Sequence, residues 1–202
     1  MNRLTAPALV LGVLLANMPA AQACACCSST AQRTVEVRKL DAAALTELAR
    51  LRFAPEAKLA LGEGYDEAVK GLQEPSEDFT LALTRGKDRI DFALRDEKGR
   101  AGTLSLLAAK TLSVFEVDPR DSQDTGAGPS LYKEWKLTAN VAGDGIFEAS
   151  VGPKRRITLV LHGRGNSCTS ADDFKHWTLL VHGPGTETIT FFGKLVELAA
   201  AN

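Results

Sequence analysis

Between residues 79 and 198, apolar and polar positions alternate in short runs separated by turn-forming residues. A period of two puts every second side chain on the same face, the mark of a strand with one buried side. Phe79-x-Leu81-x-Leu83 and Ile90-x-Phe92-x-Leu94 make the first such pair. Setting Leu83 against Ile90, Leu81 against Phe92 and Phe79 against Leu94 leaves Gly86-Lys87 as a two-residue turn, with Arg85 facing Asp88. Gly at the first turn position is what a type II′ turn favours. A second hairpin turns on Glu97-Lys98-Gly99, with Gly99 suited to a left-handed position, and sets Phe92 opposite Leu104 and Ile90 opposite Leu106. Both hairpins then bury one common face.

A third hairpin is expected to join Trp135–Val141 to Phe147–Val151 around Gly143-Asp144-Gly145. A fourth joins Ile157-x-Leu159-x-Leu161 to Trp177-x-Leu179-x-Val181, and Thr188 to Leu198 reads as a closing strand with Ile189 and Phe191 on one face and a bend at Gly193. Upstream, Gln32 to Arg38 reads as a strand, followed by one helix with Asp41 as N-cap, Leu40 and Leu45 in staple positions and Leu48 continuing the stripe. Residues 52–76 show no clear period, beyond a short helix near Asp66 to Leu72, and Asp118 to Ser130 reads as a long loop. The expected fold is mainly β: an antiparallel β-barrel or β-sandwich built from successive hairpins, with one short N-terminal helix. A barrel of this size can enclose a small-ligand cavity, whereas a sandwich packs solid.

The N-terminus has a different character. Arg3, the apolar stretch Leu4 to Ala16, the helix-breaking Pro19 and Ala21-Gln22-Ala23 have the order of a signal peptide, residues 1–23. The apolar stretch is shorter than a membrane span requires, and no second one follows, so no transmembrane span is expected. Residues 24–31 form a flexible Cys-rich terminus, and 32–202 a single β-rich domain. The expected location is periplasmic or secreted. Cys24 at the first mature position also fits a lipid anchor outside the cytoplasm, although Ala21 stands where a lipobox carries Leu. Cleavage removes one basic residue and no acid, leaving a net charge of −2. No basic face stands out, which argues against a nucleic-acid partner.

All four cysteines, Cys24, Cys26, Cys27 and Cys168, belong to the mature chain. In an oxidising compartment they can form a structural disulfide, with Cys168 meeting one member of the terminal cluster. Alternatively, clustered thiolates are preferred ligands of Cu(I). The histidines bear on this choice. His176 and His182 lie roughly 20 Å apart along one strand, too far to share an ion. The register of the fourth hairpin, however, sets His162 directly opposite His176 on the face away from the core, with Cβ atoms about 4.5–5.5 Å apart. Cys168 lies in the connecting loop, so His162, His176 and Cys168 make a copper or zinc constellation that could exchange metal with Cys24, Cys26 and Cys27.

Other motifs fall short. Gly163-Arg164-Gly165-Asn166-Ser167-Cys168 lacks the third glycine of a dinucleotide loop, and Ser167 is in no nucleophile elbow. Gly165 and Asn166 are able to take left-handed conformations in a shaped loop, Asp172-Asp173 are expected to cap a turn, with oxygen ligation beside the histidines as the alternative, and Trp135 and Trp177 to sit in the core. No acid/base or nucleophile constellation is specified, so no catalytic residue is assigned. Two readings follow: an extracytoplasmic protein that binds or handles Cu(I) or Zn(II), or a barrel or sandwich holding a small molecule, with cysteines as staple or anchor.

Overall fold

The computed structural model describes residues 33–61, 77–119, 131–167, 169–183 and 188–196. The signal segment, all four cysteines, the expected helix near Asp66 to Leu72 and most of the 118–130 loop lie outside the described residues. The strands are β1 (Arg33–Lys39), β2 (Phe53–Leu61), β3 (Asp78–Arg85), β4 (Arg89–Asp96), β5 (Ala101–Leu107), β6 (Thr111–Val117), β7 (Tyr132–Gly143), β8 (Arg156–Arg164), β9 (Phe174–His182) and β10 (Thr188–Leu195), with one helix, α1 (Ala42–Arg50). They form one antiparallel sheet in the order β1-β6-β7-β5-β4-β3-β2-β10-β9-β8, and a further β7–β8 pairing joins its end back to β7. Eight strands therefore close into a barrel, and β6 and β1 extend from it as a flap.

The long strand β7 makes the closure possible. One edge pairs with β8 from Tyr132 to Asn140. The other is divided: Tyr132–Lys136 pair with β6, and Asn140–Gly143 with β5. The β5–β6 chain thus runs along a single edge and is kinked at Ala108, which has φ 51°. A left-handed conformation at a residue with a Cβ costs about 1–2 kcal/mol. It is held by the Ala108 N–H donating to the Asp88 carbonyl at 2.7 Å.

Aromatic rings fill the barrel. Phe53, Phe92 and Trp177 meet near its middle at centroid distances of 5.6–6.4 Å. Towards one end Phe79 and Phe147 both pack edge-on against Phe191. Phe147 comes from a 3-10 turn, Gly145–Ser150, that plugs this end. A Cβ at Gly102 would lie 2.8 Å from its ring, so that position has no room for a side chain. At the opposite end α1 packs Ala44 and Leu48 against the core, its N-terminus capped by Asp41 accepting from the Ala44 N–H at 2.8 Å.

The expected alternation holds for the second and fourth hairpins: Ile90 faces Leu106, Phe92 faces Leu104, and Ile157, Leu159 and Leu161 face Val181, Leu179 and Trp177. Gly99 takes φ 81° as its loop requires, and Trp135 and Trp177 are fully buried. Four expectations are corrected. In the first hairpin Leu83 pairs with Phe92, Leu81 with Leu94 and Arg85 with Ile90, so Lys87-Asp88 is the tip. This is a shift by two, which keeps the apolar face inward. The third hairpin does not form, because Phe147 and Ser150 are buried three apart in the 3-10 turn while Ala149 is exposed. Residues 53–61, left without a period, form strand β2. Leu45 is also 51% exposed rather than stapled down.

Among the described residues the most deeply buried polar side chain belongs to Lys133. Lys133 follows the inward alternation of Trp135 and Leu137 and is fully buried. Its Nζ lies 2.9 Å from Asp173 Oδ2 and 3.4 Å from Glu116 Oε1, and it donates to the Ser167 carbonyl. Removing one partner from a buried ion pair typically costs about 3–5 kcal/mol, because the other charge is left buried alone. Lys133→Met should therefore lower the urea-unfolding free energy by about that much. Adding Glu116→Gln and Asp173→Asn should recover most of it, and a single variant as stable as wild type would contradict this account.

Candidate functional site

On the outer face of the barrel one row of polar side chains crosses four strands. Glu134 on β7 stands opposite His162 on β8, His162 opposite His176 on β9, and His176 opposite Lys194 on β10. The burial of Leu161 and Trp177 on the inner face fixes this rung, since a one-residue slip would turn both into water. The regular ladder ends here: between His162 and Gly163 the β8–β9 register shifts by a bulge, which brings Gly163 opposite Phe174.

The two imidazoles stack, with ring centroids 5.5 Å apart and planes inclined by 25°. His162 is half-buried and His176 exposed. Burial, reinforced by the neighbouring His176, holds the His162 imidazole below its ordinary range, with Glu134 opposing. Burial pushes the Glu134 carboxyl up, but Lys136 at 2.8 Å and the Tyr132 hydroxyl at 2.6 Å outweigh it and hold the group low. Burial and that same hydrogen bond push the Tyr132 phenol up to about 12. The row thus offers a neutral imidazole at ordinary pH beside an ionised carboxylate, and His176 lines a surface groove of about 710 Å³ with Phe192 and Lys194.

Of the six residues expected to hold metal, His162 and His176 come together as the hairpin register requires. Cys24, Cys26, Cys27 and Cys168 lie outside the described residues. Among the described residues no three His, Asp or Glu side chains converge on one point. His182 is spoken for: its Nε2 and the Thr158 hydroxyl lie 3.0 Å apart, and Thr158 lies 2.9 Å from Thr138 on the next strand.

The 163–173 connection is built differently from what its glycines suggest. Neither Gly165 nor Asn166 has positive φ. Instead, a Cβ at Gly163 would collide with the Asp173 carbonyl, and one at Gly165 with the Asp173 carboxylate. The two glycines make room for Asp173 to reach Lys133. Ser170, not an aspartate, caps the following turn by accepting from the Asp172 N–H at 3.2 Å. Asp172 takes both oxygens to Arg50 of α1, each at 3.0 Å, and Glu47 accepts from the Ala171 N–H at 2.8 Å. Sequence alternation alone missed this network. Its signal was Lys133 at an inward position, with two glycines spaced by two on the paired strand.

Comparison of the chain with protein-family models, curated proteins and solved structures returned no match.

The low His162 pKa makes a signed prediction. Below about pH 6.5 the unfolded chain takes up this proton more readily than the folded one. The group's contribution to stability is therefore complete above that pH and is lost as pH falls through the folded value. Urea-unfolding free energies of wild type minus His162→Asn should fall as pH drops from about 6.5 and then level off. A difference that does not vary with pH would contradict the assignment.

Proposed function

We propose that the protein is an extracytoplasmic binding protein for copper or zinc, with no catalytic step of its own. The stacked His162–His176 pair carries the reading. Two imidazoles on adjacent strands are a bidentate donor set, and metal–nitrogen bonds of about 2.0–2.1 Å suit rings at this separation once they turn about their Cβ–Cγ bonds. The depressed pKa of His162 favours the neutral, metal-binding form of the ring. Imidazole suits Cu and Zn alike, whereas the thiolates of Cys24, Cys26 and Cys27 prefer Cu(I), which supports capture at the terminus and holding at the barrel. Cys168 belongs to the loop between the two histidines and is the natural third donor. The signal-like leader is consistent with an oxidising compartment, where the same thiols compete with disulfide formation.

The alternative, a small-molecule binder, finds no space in the middle of the barrel, which the aromatic rings occupy. Space for a small molecule lies at the barrel end and on the outer surface.

Native mass spectrometry of the mature chain titrated with Zn(II) and Cu(I) tests the proposal. A chain with all four cysteines changed to Ser should retain one Zn(II) per molecule. Adding His162→Asn and His176→Asn should weaken that binding by more than the roughly 10–100-fold that follows loss of a group merely orienting a ligand. The cysteine-free chain should also lose most of its Cu(I) affinity. Zn(II) and Cu(I) affinities unchanged by removing both histidines would overturn the histidine site.

A further inference from the structure

At the end of the barrel opposite the Phe147 plug lies a cavity of about 680 Å³, walled by α1, the β3–β4 tip and the β5–β6 kink. Leu40, Leu45 and Leu48 form one side, Ile90 another, and the buried Leu106 and Leu137 the floor. None of the lining side chains is aromatic. The volume lies in the range of small-molecule sites, and the mouth of a β-barrel is where such sites recur.

The rim has the opposite character. Lys39, Arg85, Lys87, Arg89 and Lys110 surround the opening, with Asp88 the one acid in the lining. Two of the five cations are occupied: Arg85 donates to the Leu51 carbonyl at 3.0 Å, with its guanidinium 5.7 Å from the Phe53 ring centroid, and Arg89 is held by Asp91 and Ser105. The ammonium groups of Lys39, Lys87 and Lys110 have no hydrogen-bond or ion-pair partner among the described residues. An aliphatic floor beneath unpaired ammonium groups is complementary to a molecule with an apolar chain and one negative end.

The wall also carries the one non-glycine residue with positive φ among the described residues, Ala108 at 51°. Its conformation turns β5 away from the barrel into β6 and so opens this space beside Leu106. Backbone outliers cluster at ligand sites, where the surrounding structure holds them in place.

We infer that this cavity binds a monomeric aliphatic carboxylate, the chain lying on Leu106 and Leu137 and the carboxylate facing Lys39, Lys87 and Lys110. This site is independent of the His162–His176 pair and of its metal.

Isothermal titration of the full mature chain with dodecanoate, dodecanol and dodecyltrimethylammonium, each below its micelle concentration, tests it. Dodecanoate should bind one to one, dodecanol at least about tenfold more weakly, and the cation more weakly still; raised salt should narrow the gap, because exposed charges are screened. The triple variant Lys39→Gln, Lys87→Gln, Lys110→Gln should bind dodecanoate no better than dodecanol while keeping the dodecanol affinity. Leu45→Glu, at a half-exposed position of α1, should lose both ligands with its circular dichroism unchanged. Absence of dodecanoate binding, equal binding of the cation, or a triple variant that still prefers the carboxylate would each overturn the inference. Cosedimentation with phosphatidylglycerol vesicles without binding of monomeric dodecanoate would overturn it in favour of a membrane surface.

Discussion

Everything in this structure depends on β7 having two usable edges along its twelve residues. A sheet closes only when some strand can accept a neighbour that is remote around the ring, and β7 does so by giving one edge wholly to β8 and dividing the other between β5 and β6. Closure removes the open edges that a sheet of this length would otherwise present, leaving only the β6–β1 flap outside the ring. The division also explains the kink at Ala108. A continuous β5–β6 strand would keep its partner β4 alongside throughout, whereas the kink frees the lower part of the edge for the flap and leaves the barrel mouth open beneath α1.

The inward face of β7 carries the second organising feature. Lys133 is a charge in a position that alternation reserves for an apolar residue, and three separate segments are shaped to serve it. Glu116 sits opposite it on β6, the Gly163–Gly165 stretch leaves space, and the turn at 171–173 delivers Asp173. That turn is then tied to α1 through Glu47 and Arg50. Exposed ion pairs such as Arg50–Asp172 contribute little by themselves. Their importance here is positional, because they link the helix covering the cavity to the connection that leads into β9 and His176.

Much of this was legible in the chain. The six apolar side chains of the fourth hairpin exclude an odd shift but not a slip of two, and the register that pairs all six, which sets His162 opposite His176, is the one the structure adopts. The first hairpin shows the limit of the same reasoning: a period-two pattern is indifferent to a slip of two, and the turn alone decides, with Lys87-Asp88 and not Gly86-Lys87 at the tip. Strand β2 was hidden by alanines at 54, 57 and 60 and by Pro55. The proline is tolerated because it falls where the β10 register is broken, between Gly193 and Leu195, and before pairing with β3 begins at Glu56. In Phe147-x-Ala149-x-Val151, an exposed alanine imitated alternation in what is a 3-10 turn. The barrel-mouth cavity could not be read at all, because its walls come from four segments that only ring closure brings together.

The pairing of β2 with β10 has a consequence in time as well as in space. Ala57 lies beside Gly193, so the ring is completed by its two strands farthest apart in sequence. Until β10 exists, β2 can hold only the three-residue pairing with β3, and the rings of Phe53, Phe79 and Trp177 lack the strand that covers them. Long loops must be closed before such contacts repay their entropy, and folds of this kind are slow to form. The chain therefore emerges with its first barrel strand waiting for its last.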